Sequence, residues 1–374
     1  SACHNILLGS CTGKAMCAGD QNVFIGVGVG KSVQNESSNV YIGDCTATDS
    51  LSGDYNFASG LKAGRCLSNN NNILIGCCAG SVNRLNGSDN VIFGQKAGYC
   101  LAGGSQNFIV GKNAACAIDG GSNNVILGQS AGCSITSGSD NFIVGHNSGQ
   151  KIEGGSVNIL LGYHTGQCIV SGSRNIILGD EAGKEIVGGS NNTILGQNAG
   201  RNLNNGSSNI LIGDQSGQCL VDDDDNVFIG HQAGKKHSSG GLNVAIGFKV
   251  YDNNTTGERN IILGESAGSC ITSGSDNFLV GYRAGHLLTS GSCNIMIGCC
   301  VNAPSATDNC QLAIGHGTDY WINGNSSFNV TLSGIATVYA ASGIVSATKF
   351  CGDGSGLTNL PAGTSDKIEE GDSK

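Results

Sequence analysis

The stretch "GSRNIILGDEAGKEIVGGSNNTILGQNAG", residues 172–200, states one short pattern twice: an Asn, three apolar residues, a Gly, and a second Gly four places on. Asn175 and Asn192 stand 17 residues apart, as do Gly179 and Gly196. With the Gly after the apolar triplet as the register mark, the pattern runs outward in both directions, from Gly9 to Gly315. It makes 19 units, whose 18 intervals cover 306 residues, an average of 17. Gly76 alone falls one residue early, and the next unit restores the register. Four places before each mark stands Asn, except in the last unit, where Gln311 replaces it. A fixed short period marks a repeat architecture, in which each unit contacts chiefly its neighbours.

Composition agrees. The chain holds 62 Gly in 374 residues, and its two prolines, Pro304 and Pro361, lie outside the regular array, as a ladder of paired backbone requires. Formal net charge is −9, which disfavours nucleic acid or an anionic membrane as partner. No apolar run approaches the length of a bilayer span, so membrane insertion is not expected.

The residues inside each unit decide between helix and strand. Triplets such as Ile176-Ile177-Leu178, Val125-Ile126-Leu127 and Phe142-Ile143-Val144 are rich in β-branched and aromatic residues and are bounded by Asn and Gly. They read as short strands, one per unit. One apolar residue seven places after the mark (Leu101, Ile135, Ile152, Ile169, Ile186, Leu203, Leu220, Ile271) suggests a second, weaker strand. Two strands and two Gly-rich turns predict one coil of a parallel β-solenoid. The Asn row, including Asn90, Asn107, Asn124, Asn141, Asn158, Asn175, Asn192 and Asn209, is expected to stack as an amide ladder.

Both faces of the triplet are apolar in nearly every unit. Ile176 and Leu178 share one face and Ile177 takes the other. The reading places Ile176 and Leu178 in the coil interior. The middle residues Ile92, Ile109, Ile126, Ile143, Leu160, Ile177, Ile194 and Leu211 then form an outer stripe, continued by Leu74 and Phe228, that another copy of the chain covers.

Two resemblances follow. The segments "LNVAIGFKV" at 242–250 and "CQLAIGHGT" at 310–318 resemble the repeats of trimeric-autotransporter adhesin heads, which implies a left-handed parallel β-roll in a three-chain assembly. The segment "SGIVSATKFCGDGSGLTNLPAG", residues 342–363, resembles a segment of tail fibres of tailed bacteriophages, particularly those of marine cyanobacteria, with Asp353, Gly354, Ser355, Gly356, Leu357 and Thr358 carrying the likeness. Together they imply an all-β homotrimer: a left-handed solenoid of about 19 coils over 1–318, a short β-rich transition module over 319–363, and a charged tail over 364–374. A change of architecture is expected near Trp321. The chain opens in mid-array at Ser1 and stops in the run "SDKIEEGDSK", so it is expected to be a portion of a longer protein.

There are 18 cysteines, with no zinc-type pairing. Cys66, Cys100, Cys168, Cys219 and Cys270 share one phase but lie two to four coils apart, roughly 10 to 19 Å at ~4.8 Å per coil, beyond disulfide reach. Cys116 with Cys133, and Cys293 with Cys310, occupy equivalent places in adjacent coils and could pair. The favoured reading is mostly reduced thiols packed as small apolar residues, which suits assembly in a reducing cytoplasm.

Other candidate chemistry is sparse. Asp222 to Asp225 lack the spacing of a calcium loop and read as a solvated turn. His146, His231 and His316 share the place after the mark, five coils apart. They read as exposed turn residues, the alternative being an ion held by three copies of one His around an axis. Gly-x-Gly strings such as Gly26-Val27-Gly28 precede no helix, and the acidic residues are scattered over turns without the paired carboxylates of a glycosidase. No enzyme activity and no cofactor are expected. The functional expectation is a rigid trimeric rod of a virion tail fibre, assembled in the host cytoplasm and supporting host attachment. Its expected partners are its own copies, other tail or fibre proteins, and a host surface receptor, glycans among the candidates. The alternative is the head of a bacterial trimeric surface adhesin.

Overall fold

Each apolar triplet forms a strand of three residues and no more, as in Ile159–Leu161, Ile176–Leu178 and Thr193–Leu195. Backbone geometry sets both ends. The residue before the Asn, Arg174 in this unit, takes φ of 57°, and the register Gly179 takes φ of 135°. That second value is closed to side chains, and a Cβ on Gly179 would also run into the carbonyl oxygen of Gly196 in the next coil.

A computed structural model describes residues 3–50, 52–81, 85–327 and 329–332. Among them there is no helix. Nineteen strands, from Ile6–Leu8 to Leu312–His316, stack in chain order through parallel pairings, each residue opposite its equivalent one unit on: Ile159 with Ile176, Ile176 with Thr193. The chain is a parallel β-solenoid with a period of about 17 residues. The irregular unit at Gly76 keeps this register, Ile73 pairing with both Phe57 and Val91.

The expected second strand does not form. Leu101, Ile135, Ile152, Ile169, Ile186, Leu203, Leu220 and Ile271 are buried as expected, but among the described residues the return path holds only an isolated bridge, Leu67 to Leu85. The cause is local: Glu181 and Gly183 both take left-handed φ, and the Ile186 N–H turns back to the Gly183 carbonyl at 3.2 Å. Neighbouring N–H groups such as Gly183 and Glu185 still bond to the next coil, so the ladder continues through a turn.

The interior is narrow. One coil contributes Asn175, Ile177, Ala182 and Ile186, all inaccessible to solvent, and equivalent positions repeat this set along the array. Parallel stacking ends at Leu312–His316. Strand Asp319–Gly324, which contains Trp321, pairs with it antiparallel, and Val330–Leu332 adds a further antiparallel strand. The compact unit spans Ser1–Leu332. The phage-like segment 342–363, the tail 364–374 and most of the expected 319–363 module lie outside the described residues.

Candidate functional site

The stripe expected on the outside lies inside. Ile92, Ile109, Ile126, Ile143, Leu160, Ile177, Ile194 and Leu211 are fully buried within the single chain, as are Leu74 and Phe228. They therefore cannot line an interface between copies. The reason is parity: Asn175 and Ile177 are two apart, so they share a face of the strand. An Asn row that hydrogen-bonds inside the coil carries the middle apolar residue in with it.

The Asn row itself forms a continuous ladder. Asn175 donates from its backbone N–H and its Nδ2 to Asn158 Oδ1, at 3.0 and 3.1 Å, and from Nδ2 to the Gly189 carbonyl at 2.9 Å. Its own Oδ1 accepts the same two bonds from Asn192, at 3.0 and 3.1 Å. Both amide hydrogens and the carbonyl are thus used, which is what a buried Asn requires. Asn90, Asn107, Asn124, Asn141, Asn158, Asn192 and Asn209 repeat the arrangement.

A second ladder escaped the sequence reading. In the Gly-Ser loops, the Ser173 N–H donates to Ser190 Oγ at 3.0 Å and the Ser190 N–H to Ser207 Oγ at 3.1 Å. Asp224 continues this row, its Oδ1 accepting from the Ser207 N–H, and two places earlier Asp222 Oδ1 accepts from the Asn205 N–H. The repeated Ser was its signal, since each loop N–H needs an acceptor one coil away.

With the middle residues inside, the flanking residues form the outer face. Their two rows carry apolar side chains in all 19 strands, apart from Ser59 and Thr193. Ile159, Ile176, Ile210, Ile261, Phe278 and Ile295 are each about two-fifths exposed. The strip runs the length of the array, roughly 90 Å at ~4.8 Å per strand. At its end an open groove of about 340 Å³ lies against Ile295, Leu312 and Val330, where the antiparallel strands begin.

The corner after the register Gly holds the histidines. His146 stacks on Tyr163 at 5.3 Å, and Tyr163 on His164 at 3.9 Å. His231 stacks on Phe248 at 5.2 Å and lies 3.4 Å from Asp214. His146 and His231 each meet a neighbouring coil, whereas His316 pairs with Asp319 of the antiparallel strand that follows. Among the described residues, no three His, Cys, Asp or Glu side chains are placed to hold a metal ion, and no helix is long and apolar enough to cross a membrane.

Two interior defects break the apolar stack. Glu36 occupies the place of the loop Gly and turns its carboxyl inward, 3.3 Å from the Ser50 hydroxyl and beside Tyr41. Burial raises this carboxyl from 4.5 to about 7; the Ser50 hydrogen bond opposes the rise and the Asp54 charge adds to it. Farther along, Tyr251 stands where most coils have Gly and fills the space left by Ala245, its hydroxyl accepting from Asn260 Nδ2 at 2.6 Å. His237 stands beside it, with Nδ1 2.6 Å from Asn254 Oδ1 and Nε2 2.6 Å from the Gly240 carbonyl.

Compared with known proteins, the chain matches no family model, no curated protein and no solved structure.

Proposed function

We propose that this chain is a rigid rod in a bacteriophage tail fibre, formed by three copies whose outer strand faces pack around one axis. The observation that carries the assembly is the long apolar strip, interrupted only at Ser59 and Thr193 among the 19 strands, outside a coil whose backbone bonds run from each coil to the next within the chain. A strip of this length in water is an association surface, and three equivalent strips facing one axis cover one another. The interface rows are the flanking residues, such as Ile159, Ile176 and Ile210, in place of the middle stripe. A left-handed wind is the finer expectation, by likeness to trimeric β-rolls.

The fibre role rests on the resemblance of residues 342–363 to phage fibre segments, and on what stacked coils supply physically, which is length and stiffness. The rod would hold a receptor-binding region, with glycans among its candidate ligands, away from the particle, alongside other tail proteins. No catalytic role is proposed.

The test is the native mass of the purified chain. Three times the 37.8 kDa chain mass supports the assembly, and a monomer at micromolar concentration overturns it. Immunogold labelling then separates the two homes. Label on phage tails supports the fibre reading, whereas label on bacterial surfaces supports the adhesin-head alternative.

A further inference from the structure

Stacking at ~4.8 Å places equivalent residues of adjacent coils within the 4.4–6.8 Å Cα separation that a disulfide bridges. Cys116 and Cys133 are such a pair, each five places after its register Gly. The Ala117 N–H donates to the Cys133 carbonyl at 2.9 Å, and the Cys116 Sγ lies 3.5 Å from that same oxygen. The Cys116 thiol is thus aimed at the Cys133 backbone, and both side chains are partly buried.

We propose that Cys116 and Cys133 are a redox-active pair that closes into an inter-coil disulfide by exchange with a low-molecular-weight disulfide. The inference rests on the coil geometry and holds whether or not the rod is a trimer.

The hydrogen bond from the Cys116 thiol holds Cys133 down at about 7, while the same contact and burial push Cys116 up. Cys133 is therefore the attacking sulfur, since the thiolate is the nucleophile. Its thiolate attacks one sulfur of the reagent, forms a mixed disulfide and expels the first reagent thiolate, which takes up a proton. Cys116 then loses its proton to solvent and attacks Cys133 Sγ, expelling the second thiolate. The protein gives up two electrons and two protons, and the reagent becomes two thiols.

Other close pairs lack this combination. Cys77 with Cys78 and Cys299 with Cys300 bring their sulfurs to 3.6 and 3.5 Å, but as sequence neighbours they must close a strained ring through one peptide bond, and the Cys78 and Cys299 thiols are raised. Cys293, facing Cys310 one coil on, is raised as well, by desolvation first and then by the Cys310 charge.

The test treats the folded chain with glutathione disulfide at several pH values, quenches with acid and maps disulfide-linked peptides. The expected first linkage joins Cys116 to Cys133. Formation of the mixed disulfide on Cys133 should speed up about tenfold between roughly pH 6 and pH 8, as a thiol titrating near 7 ionises. Cys116→Ser should trap the mixed disulfide on Cys133, and Cys133→Ser should abolish the fast exchange. The proposal is overturned if another pair, including Cys100 with Cys116, links first, or if Cys133 in the Cys116→Ser chain reacts no faster than the remaining cysteines.

Discussion

Ile176 and Ile177 are neighbours in sequence and lie on opposite sides of the coil wall, the first 41% exposed and the second fully buried. A charge at each should therefore do different damage. Ile177→Asp buries an unpaired carboxylate at a cost of several kcal/mol and should unravel the coils around it. The triple change Ile159→Asp, Ile176→Asp and Ile210→Asp should leave the β circular-dichroism signal intact while reducing the assembly to monomers in sedimentation velocity. A native-sized oligomer from the triple variant would remove the outer face as the interface.

The Asn and Ser ladders should differ in strength. Asn175→Ala leaves two donors of Asn192 and the Gly189 carbonyl without their partner in a site closed to water. Each such orphan costs about 1–3 kcal/mol. Ser173→Ala removes one acceptor, for the Ser156 N–H, from a loop that water reaches, which costs about 1 kcal/mol or less. Hydrogen exchange should show local opening around residues 158–192 in the Asn variant and little change in the Ser variant.

What was legible in the sequence was whatever repeats at a fixed phase: the period, the strand positions and the Asn row. The inside-outside assignment needed one more step, the parity shared by Asn175 and Ile177, because the apolar triplet is the same on either face. The return path misled for a different reason. An apolar residue such as Ile186 is buried there whether its backbone is strand or turn, and the turn is set by left-handed φ at Glu181 and Gly183. Glu36 and His237 were invisible to the repeat because they are departures from it.

Glycines in the array should not be equivalent. Gly179 combines φ of 135° with a blocked Cβ position, so Gly179→Ala forces the coil wall apart and should cost more than about 3 kcal/mol. Gly120 has open space around its Cβ position and no left-handed φ, so Gly120→Ala should shift the melting temperature by no more than a degree or two. Equal effects from the two changes would contradict the stacked-glycine wall.

The buried Glu36 makes the early coils of the array sensitive to pH. Its carboxyl titrates at about 7 in the fold and near 4.5 when unfolded, so the folded chain binds this proton more tightly. Between those values the unfolded chain is ionised and the folded chain is not, and stability falls as pH rises. The contribution is full below about pH 4.5, declines up to about pH 7, and is level above, a total of about 3 kcal/mol. Tyr41, Ser50 and Asp54 face the carboxyl, and the Asp54 charge adds to the rise that burial causes. Hydrogen exchange at residues 36–50 should therefore slow when the pH is lowered from about 8 to about 5, after correction for the intrinsic rate. Glu36→Gln should remove that dependence and slow exchange at the higher pH. Unchanged pH dependence in the Gln variant would assign the effect to another group.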